Sequence, residues 1–313
     1  MKNLIRIKGD ASLRKFFRKK KNHFSSIIVV AKKEKFKNLL VYDAINKILI
    51  KNKILAPRLY NENYSNNYIE IQDFGNETIL NKLNKKKTIK FIYFKKIIQL
   101  LNKIQLIKSR KIKTFKNKSY IIPEYNKKIL IREANLFCDW YVNNKFSRVR
   151  KDKFSKKFKK IIKKLILNLK LKNDIFVHRD FHISNLMIIK NQIGVIDSQD
   201  ALIGNKAYDL ASLIDDVRFK TPKLFKDQVF SFYTNKLKKL EIDKLKNDFE
   251  ILSVLRNLKI IGIFTRLAIR DGKKNYLKMI PYTWKLIHMR IKENNLFNDL
   301  ENLLNQYFKK KIK

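Results

Sequence analysis

The stretch His178-Arg179-Asp180-Phe181-His182-Ile183-Ser184-Asn185, followed by Gly194-Val195-Ile196-Asp197, decides how this chain is read. Phosphoryl transfer needs a carboxylate beside the attacking hydroxyl and oxygen ligands that hold a divalent cation on the transferred phosphates. Asp180 can accept or orient the hydroxyl proton. Asn185 offers a neutral oxygen at the far end of the same loop, and Asp197 offers a charged one. Ile175-Phe176-Val177 reads as a strand leading into the loop. Leu186–Ile189 and Gly194–Ile196, around Lys190-Asn191-Gln192, read as a hairpin that brings Asp197 back to it. An Asp spaced from an Asn is common by chance in a chain this rich in Asn; the whole set is not.

The spacing from Asp180 to Asn185 is that of the kinase catalytic loop, H-R-D-x-x-x-x-N. His178 is expected to brace this loop through hydrogen bonds, and neither it nor His182 reads as a metal ligand. Asp73-Phe74-Gly75 spells the metal-binding tripeptide of protein kinases, but it lies upstream of the loop. Asp73 is therefore not expected to hold the cation. Its place after a strand and before a helical region suits a connector between two lobes. There the backbone groups of Ile71, Gln72 and Asp73 could hydrogen-bond an adenine.

Further out, the first quarter reads as β-rich. Leu13–Arg18 and Ser26–Val30 suggest a hairpin, and Leu59-Tyr60 and Tyr68–Ile71 two more strands. Between them, Leu39, Leu40, Ala44, Ile48 and Leu49 recur at helical spacing within a helix from about Phe36 to Lys53. After Gly75, Lys-studded amphipathic helices fill most of the chain, residues 175–200 excepted. No internal repeat is visible.

The 313 residues carry a formal net charge of +46, with 59 Lys against 14 Arg. Lys, Asn, Ile and Phe all have AT-rich codons, so a base bias accounts for the skew without an anionic partner. A surface built to read phosphates or bases would draw more on Arg. The Lys runs are scattered rather than gathered in one block. No apolar run is long enough for a membrane span, and no secretory signal is visible. The lone Cys138 cannot form an internal disulfide. A cytoplasmic monomer with no specific nucleic-acid partner is the expectation.

The catalytic stretch, with Ile196-Asp197-Ser198-Gln199-Asp200-Ala201, Gly204 and Ala207-Tyr208-Asp209-Leu210, resembles the aminoglycoside phosphotransferase/choline kinase superfamily. Within it, the chain is similar to the anomeric kinases of N-acetylmuramate and N-acetylglucosamine in cell-wall recycling. Gly9–Arg18 resembles that branch's opening phosphate-loop motif. Pro123-Glu124-Tyr125, Arg132-Glu133 and Leu136–Tyr141 resemble its central segment, and Gly262–Leu267 with Arg270–Lys273 its C-terminal one. The match runs from about residue 8 to 285. Three departures stand out: Ser198 where the family commonly has Phe, Lys206 where it has Pro, and Val29-Val30-Ala31-Lys32-Lys33 where a strand usually leads into Asp-Ala-Pro-Pro.

The residues and the resemblance together imply an α+β, two-lobed protein-kinase-like fold. Residues 1–73 would form a small β-rich ATP lobe, and residues 74–313 a mainly helical lobe. ATP and Mg²⁺ are the implied cofactors, with Asp180 as base and Asn185 and Asp197 as metal ligands. Ser12 would cover the phosphates, and Lys32 (or Lys33) would pair with them, partnered by Asp43 or Glu34. Asp200, Glu133, Asp139, Trp140 and Arg266 are candidate sugar contacts, since an aromatic face suits a pyranose and polar groups its hydroxyls. Helix packing and salt bridging would account for the same residues. Asp209 is expected to tie down the loop beneath the site. The resemblance implies the anomeric hydroxyl of an amino sugar as acceptor. Alternatives are a kinase of an amino alcohol or aminoglycoside, or a catalytically silent basic adaptor with a kinase fold.

Overall fold

A computed structural model describes residues 4–7, 14–21, 24–31, 38–86, 91–292 and 294–312. The chain divides into two compact units, Met1–Pro123 with Ile175–Ile203, and Glu124–Asp174 with Gly204–Lys313.

The first unit is built on a five-stranded antiparallel sheet: β1 (Leu4–Ile7), β2 (Lys15–Lys21), β3 (Phe24–Val30), β4 (Leu59–Asn63) and β5 (Tyr68–Gln72). Their order is β1-β2-β3-β5-β4, so β3 is paired on both edges. Its Ile27–Val30 run is correspondingly apolar. Helix α1 (Asn38–Lys51) covers the sheet. Its Leu39 and Tyr42 pack with Ile27, Val29, Ala31, Ile69 and Ile71 in a common core. The apolar periodicity of α1 and the alternation in β5 are what direct these faces inward.

Helices α2 (Ile79–Lys86) and α3 (Phe91–Gln105) follow, then a short antiparallel pair, β6 (Lys111–Lys113) and β7 (Ser119–Ile121). Strand β8 (Asn173–Val177) leads into the catalytic stretch, and β9 (Leu186–Ile189) pairs antiparallel with β10 (Gln192–Val195). Lys190 and Asn191, at φ +43° and +66°, form the two-residue turn between them. Positive φ at both positions matches the turn to the strands' right-handed twist. Gly194 is needed for close approach, because a Cβ there would come within 2.8 Å of the Phe74 ring. β11 (Leu202–Asn205) ends the insertion.

The second unit is helical among its described residues: α4 (Lys127–Leu136), a π-helical turn Phe137–Val142, α5 (Arg148–Leu167), α6 (Ala207–Ile214), α7 (Lys223–Thr234), α8 (Lys239–Arg270), α9 (Ile280–Ile291) and α10 (Asn298–Ile312). Asn126 caps α4 by accepting from Ile129 N at 3.0 Å. α8 runs through the unit's centre and touches the π-helical turn so closely that a Cβ on Gly262 would lie 2.2 Å from the Leu136 carbonyl oxygen. Phe137, Tyr141, Phe154, Trp284 and Phe308 form one aromatic cluster around that contact. Asp215 is buried and compensated: Arg290 donates to both carboxylate oxygens at 3.0 and 3.1 Å, and Ser253 at 2.6 Å.

Candidate active site

The loop after β8 is held by its own backbone. Arg179 adopts φ +73°, which turns the chain sharply before Asp180. His182 N then donates to Asp180 O at 3.0 Å, and Asn185 N to His182 O at 2.9 Å, closing a 3₁₀ turn over Ile183–Asn185. Asn185 Nδ2 donates to Asp180 O at 3.1 Å. That carbonyl needs a donor, so the amide's other atom, Oδ1, is the one left to face a cation. Asn185 O accepts from Ile196 N at 3.1 Å, which binds the end of the β9–β10 hairpin to the loop.

Asp197 follows at φ +62°. Left-handed conformations at Arg179 and Asp197 cost free energy in non-glycine residues, and Asp180 and Asn185 lie between them in the chain. Burial pushes the Asp197 carboxyl above its ordinary range; Arg14 opposes this, while the negative charges of Asp180 and Asp200 add to it. A divalent cation beside Asp197 would offset the negative charge that raises it. The Asp197 carboxylate and the Asn185 amide oxygen are hard donors of the kind magnesium takes, so the residues fit that ion.

His178 is fully buried. Burial lowers its pKa to about 4, with Asp180 and the Ile196 backbone pulling the other way. At neutral pH it is an uncharged brace, edge-on to Phe181. Asp200 is exposed, and its backbone oxygen accepts from Arg179 Nη1 at 3.1 Å. Ser198 is buried and donates to Asn46 Oδ1 on α1 at 2.6 Å, while Asn46 Nδ2 donates to Pro57 O at 3.0 Å. A serine in place of the family's common Phe is thus matched by a polar partner on α1.

Asp73 lies elsewhere in the same unit. Its carboxylate accepts from Arg18 Nε at 2.5 Å and Nη2 at 3.0 Å, from Ser25 Oγ at 2.5 Å and from Gly75 N at 2.8 Å. Burial pushes its pKa up, but Arg18, Ser25 and the Gly75 N–H outweigh this and hold it below the usual carboxylate range. It clasps β2 and β3 to the connector. Ile71 and Gln72 belong to the sheet, and the Gln72 N–H is spent on Arg58 O at 2.8 Å.

Ser12, Lys32, Lys33 and Glu34 lie outside the described residues. Asp43, weighed above as their partner, is committed to Lys47 at 2.7 Å and to the Phe115 N–H at 3.0 Å. Arg14 was not singled out by its sequence context, yet its Nη2 contacts Asp197 Oδ1 at 3.0 Å. The available signal was an Arg kept in a chain that otherwise favours Lys.

In the helical unit, Glu133 accepts from the Tyr125 hydroxyl and from Lys259 Nζ at 2.9 Å, and Lys259 also reaches Tyr208. Glu133 is thereby part of the framework joining α4, α6 and α8. Asp139 and Trp140 sit on the π-helical turn, exposed and half-buried respectively. Burial raises the Asp139 pKa against the pull of Lys159 and Lys151. Arg266 is half-buried on α8, one turn beyond Gly262. Asp209 is buried in the first turn of α6.

Residues 4–241 match the phosphotransferase enzyme family (APH). The chain belongs to that family. It is 28% identical over 282 residues to the N-acetylmuramate/N-acetylglucosamine kinase of Neisseria meningitidis, covering 87% of this chain and 81% of that one. The enzyme of the same name from Pseudomonas aeruginosa is 26% identical, over 96% of this chain and 87% of its own. A choline/ethanolamine kinase family protein from Mesorhizobium loti superposes with TM-score 0.63 at 9% identity, over 97% of this chain and 92% of the other. ADP-bound aminoglycoside phosphotransferase APH(2'')-Ib gives TM-score 0.59 at 15% identity, over 92% and 95%. The kinase-like α+β fold and the phosphotransferase class are those expected from the catalytic stretch. Among the described residues, no helix is long and apolar enough to cross a membrane.

Proposed function

We propose that this phosphotransferase moves the γ-phosphoryl group of ATP to the anomeric hydroxyl of N-acetylmuramate or N-acetylglucosamine, as a step in reusing cell-wall sugars. The supporting observation is the loop that gathers Asp180, Asn185 and Asp197 through backbone hydrogen bonds, in a chain whose relatives carry that kinase name. Asp180 takes the acceptor proton. Asn185 Oδ1 and Asp197 would hold Mg²⁺, which when bound offsets the charge on the phosphates. Adenine lies at the connector after β5. Asp139, Trp140 and Arg266 contact the sugar.

An anomeric hydroxyl belongs to a hemiacetal and is more acidic than an ordinary alcohol, so one positioned carboxylate suffices to draw off its proton. The product is a glycosyl phosphate, whose C1–O bond breaks in mild acid because the ring oxygen stabilises the cation. A 6-phosphate lacks that assistance. Incubation with ATP and either sugar is therefore expected to yield phosphate released by mild acid, and the methyl glycoside blocked at C1 is expected to be inert. An acid-stable product, or full activity on the methyl glycoside, would remove the anomeric assignment and leave the kinase.

A further inference from the structure

Arg14 lies in the Gly9–Arg18 stretch that resembles a phosphate-loop motif, and it stands immediately before β2. The ladder pairs Lys15 with Val30; continued by one step, it sets Arg14 opposite Ala31. Arg14 is thus at the end of β3 where the general kinase plan keeps its phosphate-pairing lysine, on the neighbouring strand.

Its surroundings are those of a fixed cationic site. Only 7% of Arg14 is exposed, and its guanidinium lies 5.9 Å from the ring centres of both Phe16 and Tyr42. A buried guanidinium is costly unless anions compensate it. Asp197 supplies one at 3.0 Å. Asp197 is also the residue proposed to hold magnesium, and a dication on that carboxylate would weaken its attraction for Arg14. The nucleotide brings the compensation with it, since the triphosphate carries more negative charge than one magnesium ion neutralises. A planar fork of donors suits phosphate oxygens better than the point charge of Lys. In a chain with 59 Lys and 14 Arg, an Arg kept at this place is informative.

We propose that Arg14 is the phosphate-binding cation of this enzyme, pairing with Asp197 in the nucleotide-free state and with the nucleotide's phosphate oxygens in the bound one. The proposal rests on the kinase reading above. It makes Lys32 dispensable for phosphate contact.

Binding of ADP and of adenosine is to be measured by titration calorimetry for the wild type, Arg14→Met and Arg14→Lys, with and without magnesium. Loss of charge-assisted hydrogen bonds is expected to weaken ADP roughly 10- to 100-fold in Arg14→Met. Adenosine affinity should stay within about twofold, because the base and ribose do not meet this residue. The ADP deficit should persist without magnesium, and Arg14→Lys should recover part of it. Adenosine and ADP falling together would show a merely structural role and overturn the proposal. So would an ADP deficit that vanishes without magnesium, which would mean that Arg14 acts only by shaping Asp197. A wild type that binds neither compound would instead sink the kinase reading, and this proposal with it.

Discussion

Asp73 and Asp197 carry one side chain into opposite settings. Asp73 has its carboxylate filled by donors from β2, β3 and the connector. Asp197 meets Arg14 at 3.0 Å, yet burial, with the charges of Asp180 and Asp200, still pushes its pKa up. Asp197→Asn is therefore expected to abolish magnesium-dependent tightening of ATP binding. Asp73→Asn should keep that dependence while lowering stability by about 1–3 kcal/mol, the usual cost of breaking buried hydrogen bonds to a charged group. Titrating ATP against each variant, with and without magnesium, separates the two. An Asp73 variant that alone loses metal dependence would reverse the assignment. The order of residues along the chain favours Asp197 over Asp73 as the proposed ligand, because only the one after the His178–Asn185 loop can be returned to it by a hairpin. Arg14 was not legible in that way: its contact with Asp197 joins positions far apart in sequence.

At the scale of elements, strongly periodic segments could be read from the sequence. The helix expected from about Phe36 to Lys53 is α1, Asn38–Lys51, and the strands expected at Ser26–Val30 and Tyr68–Ile71 are β3 and β5. The three-residue strands β6 and β7 and the π-helical turn left no such trace. Three residues are too few to set a period, and a π-turn differs from an α-helix by backbone bonds rather than by apolar spacing. Gly262 and Gly272 meet backbone needs of two kinds. Gly262 has a carbonyl oxygen 2.2 Å from where its Cβ would stand, whereas Gly272 has open space but φ +68°. Gly262→Ala must separate α8 from the π-helical turn and is expected to cost about 1–3 kcal/mol or more. Gly272→Ala meets only the left-handed backbone penalty, about 1 kcal/mol. Thermal unfolding followed by circular dichroism should rank Gly262→Ala clearly lower; equal midpoints would mean that the close packing at Leu136 is not tight in solution.

For the whole molecule, composition changes once, after Gly75, so the sequence suggests a single boundary. Compactness instead follows contacts between distant segments, and Ile175–Ile203 belongs to the unit that contains Met1–Pro123. Composition carries no record of such contacts. The stability of the whole should respond to acid through His178. Its pKa is about 4 when folded, against an ordinary value of 6.5. Between those values the unfolded chain binds the extra proton, so stability is complete above the ordinary value and is lost as pH falls toward 4. The contribution is on the order of 3 kcal/mol. Urea midpoints measured across this range should fall steeply for the wild type and less steeply for His178→Gln. Parallel curves would contradict the burial of an uncharged imidazole.

In the proposed mechanism Asp180 is the base that acts on the acceptor and not on the nucleotide. The most direct measurement is sugar-dependent ADP release by Asp180→Asn, paired with its ATP affinity. General-base catalysis contributes roughly 10²- to 10⁴-fold, so turnover should fall by that factor while ATP binds nearly as before. Turnover equal to the wild type, with sugar still required, would contradict the account.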